Sequence, residues 1–232
     1  MIKLRKSDAR GHANHGWLDS YHTFSFAGYF DAEHMQFRDL RVINEDWIAP
    51  AAGFPTHPHR DMEIVTYVVS GELEHRDSMG NGSIIRAGEI QRMSAGSGIS
   101  HSEYNHSSEH PVHLLQIWIR TEIDGIAPGY EQKSYLTFRQ PNGLTLIASR
   151  GARENSIHIN QDVNIYTGNL DGARSIQYQP PGNRHTWIQL IDGEVRLGGL
   201  TMKKGDGAAI GALKNIALEA DSDSEFLLFD LK

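Results

Sequence analysis

The chain has 232 residues, 39% hydrophobic and 22% charged, the composition of a globular protein long enough for one large domain or two small ones. It carries no cysteine, so disulfides and thiolate metal sites are excluded and any bound metal must take nitrogen and oxygen ligands. A net charge of −7 with no basic face argues against direct nucleic-acid binding, and there is no apolar run of about 18 residues to cross a membrane. The opening MIKLRKSDARGH has no apolar stretch after its charges, so no signal peptide is expected and the cytoplasm is the expected compartment.

Eleven of the thirteen histidines precede position 114, which puts the expected chemistry in the first half. The first informative element is THPH at 56–59. A residue before proline is pushed to extended backbone, and proline near −65° tolerates it, so His57 and His59 project from one face of a strand. Glu63 stands at even spacing from both and shares that face if the strand is unbroken. MEIVTYVVSGELEHR at 62–76 reads as a hairpin turning at Ser70-Gly71, and DSMGNG at 77–82 as a second turn. In SAGSGISHSEYN, 94–105, a flexible Gly96-Ser97-Gly98 turn precedes His101 and Glu103, again two residues apart. HLLQIWIR at 113–120 alternates, with His113, Leu115, Ile117 and Ile119 on one face and Leu114, Gln116, Trp118 and Arg120 on the other. Residues 121–143, rich in Gly, Pro and polar side chains, read as a linker.

Beyond the linker the pattern recurs. YVVSGELEH at 67–75 matches QLIDGEVRL at 189–197, and RAGEIQRMSA at 86–95 matches KKGDGAAIGA at 203–212. Two β-barrels in tandem are therefore expected, with an N-terminal domain over 1–132 and a C-terminal domain over 133–232.

If the strand bearing His101 and Glu103 lies beside the one bearing His57 and His59, three imidazoles converge with one or two carboxylates. That donor set suits Fe, Mn, Ni, Cu or Zn, and four protein ligands on an octahedral ion leave two positions open for catalysis. Spacing alone does not choose between Glu63 and Glu103. His12, His15, His22, His34, His75, His106, His110, His113, His158 and His185 read as exposed side chains or, at most, pocket lining. The second copy serves as an internal control. Counted from its glycines, His57 and His59 fall on Gln179 and Pro181, and His101 and Glu103 fall on Leu218 and Ala220. The turns are kept while every candidate ligand is missing, so the ligands are not a requirement of the fold.

These residues resemble the two cupin motifs: Gly53, His57, His59, Glu63 and Gly71 in the first, and Gly88, Gly96 (in place of a proline), Gly98, His101 and Asn105 in the second. More closely, GHANHGWLDSYHTFSFAGYFD at 11–31, LRVINEDWIAP at 40–50, THPHRDMEIVTYVVSGELEHRDSMGN at 56–81 and SAGSGISHSEYN at 94–105 resemble pirins, densely over about the first 130 residues and thinly afterwards. The resemblance implies an all-β bicupin fold of two tandem jelly-roll β-barrels, with a metal in the N-terminal one. It implies His57, His59, His101 and Glu103 as ligands of one divalent transition metal, Fe(II) first, with Zn, Mn, Ni, Cu or Co as alternatives. Glu63 then becomes a supporting strand residue.

The resemblance further implies quercetin 2,3-dioxygenase activity on a small phenolic substrate and O2, with Glu103 as the base that accepts the 3-hydroxyl proton. Trp17, His22, Phe24, Phe26 and Phe30 read first as barrel core, with pocket lining as the alternative. The competing reading is a non-enzymatic metal-binding module with a protein partner, since eukaryotic pirins are described as co-regulators; a cupin isomerase or another dioxygenase is a third.

Overall fold

Strands account for nearly all the regular structure in the computed structural model, which describes residues 1–232. The helical segments are two three-residue 3-10 turns, Ser7–Ala9 and Arg153–Asn155, and no helix is long and apolar enough to cross a membrane. The short Gly-punctuated alternating runs dictate this outcome, because each buries one face and ends before a helical repeat could form.

The chain divides into two compact units. One comprises Gly11–Leu136 and Ile157–Gln161, the other Met1–Arg10, Thr137–Ser156 and Asp162–Lys232. The first strand, β1 (Ile2–Arg5), belongs to the second unit. The first unit contains β2 (Gly11–Asn14), β3 (Leu18–His22), β4 (Leu40–Ile48), β5 (Gly53–His59), β6 (Met62–Ser70), β7 (Glu72–Asp77), β8 (Gly82–Arg86), β9 (Glu89–Ser94), β10 (Ile99–Asn105), β11 (Val112–Arg120) and β12 (Gly129–Ser134). They form a seven-stranded sheet, β12-β9-β6-β11-β4-β3-β2, and a four-stranded sheet, β5-β10-β7-β8. Leu18, Ile48, Val68, Val112 and Leu114 of the larger sheet pack with Leu73 and Ile85 of the smaller. The two sheets share no strand and are not closed into one cylinder, so the unit is the two-sheet form of the jelly roll expected from the sequence.

The short β14 (Ile157–His158) also falls in the first unit. The second unit continues with β13 (Leu144–Ser149), β15 (Val163–Leu170), β16 (Arg174–Tyr178), β17 (His185–Asp192), β18 (Glu194–Leu197), β19 (Leu200–Lys203), β20 (Gly207–Ile210), β21 (Ile216–Ala220) and β22 (Ser224–Leu231). Its strands run β1-β20-β17-β22-β15-β13 in one sheet and β16-β21-β18-β19 in the other; from β20 to β13 and from β16 to β19 each strand holds the place of its counterpart from β9 to β3 and from β5 to β8 in the first unit. The repeat read from the sequence is thus a repeat of topology. Its hairpin glycines have the same left-handed backbone, φ +83° at Gly71 and +84° at Gly193. Close packing forbids a side chain at both: a Cβ would lie 2.9 Å from Pro111 O at Gly71 and 2.4 Å from Asp223 O at Gly193. Leu218 and Ala220, aligned with His101 and Glu103, are buried in the apolar core of the second unit together with Ile176 and Tyr178.

Candidate metal centre

β5 is the edge strand of its sheet, which explains how it accommodates Pro55 and Pro58 in the same seven residues as two histidines. Its register with β10 pairs His57 with His101, Pro58 with Ser100 and His59 with Ile99. The three imidazoles therefore meet. Ring centroids lie 4.8 Å apart for His57 and His59, 4.5 Å for His57 and His101, and 4.9 Å for His59 and His101. One nitrogen of each lies within 4.8 Å of the others.

Glu103 is reached by a register shift. Between His101 and Glu103 the pairing on β5 jumps from His57 to Phe54, a bulge of the kind that re-aims side chains beside functional sites. Glu103 is buried, and its oxygens accept the Gln116 side-chain amide at 3.1 and 2.9 Å, with Thr66 Oγ1 at 3.5 Å. Its carboxylate forms a second group within 4.8 Å with His101 and His75; the four residues named from the sequence do not all fall within one such group. Burial pushes the Glu103 carboxyl up, against the lowering effect of the imidazoles and Gln116.

Glu63 lies elsewhere. The strand breaks at Asp61, whose φ of +49° is left-handed, and β6 restarts at Met62. Ile64 and Thr66 then face the site and Glu63 points the other way. There it is fully buried, accepting from Asn160 N at 3.2 Å and Asn160 Nδ2 at 3.3 Å, with Arg92 Nε at 3.9 Å.

The donor atoms are set for a cation. His57 Nδ1 lies 2.8 Å from the carbonyl of Pro55, which can only accept, so the proton sits on Nδ1 and Nε2 keeps its lone pair. His101 Nε2 is buried with no hydrogen-bond partner in the protein. Burial, with the neighbouring imidazoles, pushes both His59 and His101 down to about 3, so both are neutral at pH 7. Neutral imidazoles, an orphaned buried nitrogen and a nearby carboxylate fit a divalent transition metal.

These side chains line a cavity of about 820 Å³, within the range of about 300–1,000 Å³ usual for small-molecule sites. Trp17, Phe26, Phe54 and Trp118 supply aromatic walls, and Ser20, His22, Asn44 and Asp46 supply polar ones. Trp118 stands edge-on to His59, with centroids 4.9 Å apart. Of the five residues read as core, Trp17, His22 and Phe26 line the cavity, Phe24 is buried outside it, and Phe30 is 74% exposed. Asp46 is fully buried, and burial pushes its carboxyl up to about 7 against a hydrogen bond from Ser20.

His75, read from the sequence as exposed or pocket lining, is fully buried and lies outside the cavity lining, and it had no distinguishing signal of its own. Sequence reasoning passed over Gln116 and Asp46, whose signal was a polar residue on a mainly apolar inward strand face.

Comparison with known proteins agrees with this architecture. Residues 3–119 match the Pirin family model, and residues 146–231 match the model for the quercetinase C-terminal cupin domain. A protein of Escherichia coli K12 named quercetin 2,3-dioxygenase is 52% identical over 231 residues, covering 100% of this chain and 99% of its own. The crystal structure of YhhW from Escherichia coli aligns with a TM-score of 0.96 at 51% identity, over 100% of this chain and 98% of that one. The structure of bacterial pirin YhhW in complex with nickel(II) aligns with a TM-score of 0.95 at 51% identity, over 100% and 99%.

Proposed function

The chain belongs to the pirin family of bicupin proteins, and from that premise we propose that it is a metal-dependent dioxygenase that opens the central ring of flavonols such as quercetin with O2. In this reading His57, His59, His101 and Glu103 hold one divalent transition metal. Fe(II) is the first candidate, and nickel(II) is the ion in the similar Escherichia coli complex. When bound, the ion supplies Lewis acidity that lowers the pKa of the flavonol 3-hydroxyl and offers open positions for ligand exchange.

The protein's own groups do the rest. Glu103 accepts the 3-hydroxyl proton on its carboxylate, while Gln116 and Thr66 hold that carboxylate in place. Burial, which raises the Glu103 carboxyl, makes it the better proton acceptor. Three neutral imidazoles and one carboxylate leave a divalent site with a charge of about +1, which favours an anionic flavonolate. Trp17, Phe26, Phe54 and Trp118 give a planar polyphenol flat apolar surfaces and keep water from the reacting ring. Both oxygen atoms of O2 enter the ring-opened product, and one ring carbon leaves as carbon monoxide.

The observation that carries this reading is the meeting of three imidazole donors, one with a buried unpartnered Nε2, in the wall of an aromatic cavity of about 820 Å³. The test is O2 uptake by Fe(II)-reconstituted protein given quercetin, with the His57→Ala/His59→Ala double variant alongside. Uptake by the wild type alone is expected. Silence in both, with one equivalent of metal measured in the wild type, would favour a metal-binding interaction module instead. Glu103→Gln should retain some metal and lose most turnover; unchanged turnover would remove Glu103 as the base.

A further inference from the structure

We propose that Asp77 and His75 form a relay that fixes the tautomer of His101, leaving its Nε2 bare and so setting the metal affinity of the site; this rests on the reading of His101 as a ligand. β7 lies beside β10 with His75 opposite Glu103 and Asp77 opposite His101, so all four side chains share a face. The side chains of His75 and Asp77 are both 0% exposed. The His75 ring stacks on Tyr130, with centroids 4.9 Å apart and planes at 30°.

The protons can be assigned from the partners. Asp77 Oδ1 accepts the backbone N–H groups of Met79 at 2.9 Å and Asn81 at 3.0 Å. Asp77 Oδ2 accepts the Asn81 side-chain amide at 2.8 Å and faces His75 Nε2 at 3.4 Å. Three N–H donors already converge on the Asp77 carboxyl, which makes it the acceptor for a proton on His75 Nε2. With its proton on Nε2, His75 presents a lone pair at Nδ1, which faces His101 Nδ1 at 3.5 Å. Two lone pairs or two protons there would repel, so His101 carries its proton on Nδ1. Its Nε2 is left bare, and this is the nitrogen that is buried with no partner in the protein.

The contacts at 3.4 and 3.5 Å are at the long end of hydrogen bonding, so the relay acts by selecting a tautomer more than by bond strength. Carboxylates that orient a ligating histidine are a recurrent device, and here a second imidazole is interposed. His75 and Asp77 are positioning residues, because they act through His101.

The experiment uses the 232-residue chain, metal-free for 15N NMR of the histidine ring nitrogens and titrated with Ni(II) against a competing chelator. The wild type should show His101 protonated on Nδ1. Asp77→Asn and His75→Leu should shift His101 toward the Nε2-protonated form and weaken Ni(II) binding about tenfold to a hundredfold. His75→Asn places an acceptor oxygen near the old Nδ1 position and should restore most of the affinity. Circular dichroism of each variant shows whether its β-sheet is kept.

An Nε2-protonated His101 in the wild type, or unchanged affinity in Asp77→Asn and His75→Leu, overturns the relay. Equal loss in His75→Asn and His75→Leu with none in Asp77→Asn overturns it too, and makes His75 a ligand. The His57→Ala/His59→Ala variant separates the two readings. If it binds Ni(II) as tightly as the wild type, the metal site itself is misassigned and the relay falls with it.

Discussion

The side-chain amide of Gln116 donates to both carboxylate oxygens of Glu103, at 3.1 and 2.9 Å, while its own oxygen accepts from Thr66 at 3.2 Å. Both supporting residues belong to a polar row that crosses the larger sheet of the first unit. Register pairs His22 with Asn44, Asn44 with Gln116, Gln116 with Thr66 and Thr66 with Gln91, and all five are buried. Within the row, Gln116 and Thr66 keep the buried Glu103 carboxylate hydrogen-bonded, and Asn44 pairs with His22 at 2.9 Å.

Gln116→Leu removes the two shortest bonds to Glu103 and leaves the longer Thr66 contact. In metal-free protein it should cost about 1–3 kcal/mol, the usual penalty for a buried group left short of partners. Urea unfolding with an unchanged slope and a lower midpoint would bear this out; an unchanged midpoint would contradict it.

Asp46 makes a prediction about pH. Its folded value of about 7 lies above the ordinary 3.8, so the protonated form stabilises the fold fully below about pH 4 and that stabilisation is lost as pH rises to 7. In metal-free protein Asp46→Asn removes this dependence. Its stability relative to the wild type should climb across pH 4–7, by an amount on the order of a few kcal/mol, and level off above. Parallel melting-temperature curves for the two proteins would sink the idea.

His57→Ala and His101→Ala should each weaken metal binding by about tenfold or more and leave the β-sheet circular dichroism in place. The reason is internal: the second unit builds the same strand order with Leu218 and Ala220 at the matching positions. Loss of the sheet signal would make the imidazoles part of the fold.

Gly71→Ala and Gly193→Ala test the shared hairpin. Both positions have φ near +84° and backbone atoms within 3 Å of a would-be Cβ, so each should lower stability by more than about 1 kcal/mol. Gly193→Ala should be the worse of the two, since its nearest backbone oxygen lies at 2.4 Å against 2.9 Å. Thermal unfolding of the two variants ranks them.

The sequence by itself determined the all-β class, the glycine-anchored repeat and the pairing of His57 with His59, because alternation, turn chemistry and the constraint before proline are local properties of the backbone. It also separated the copy that carries candidate ligands from the copy that does not, since matching the repeats needs only spacing. It could not tell where Glu63 and Glu103 stand relative to the imidazoles. Their places follow from the left-handed Asp61, which interrupts the strand and turns Glu63 toward Arg92, and from the bulge after His101.

Nor could the sequence single out His75 among ten unassigned histidines, or show that Gln116, Thr66 and Asn44 stand in one row. Residues 1–10 gave no sign that β1 would pair with β20. Each of these depends on the register between strands far apart in the chain. Register is decided by burial and hydrogen bonding across the whole sheet, where a slip of one residue would turn every side chain to the opposite face.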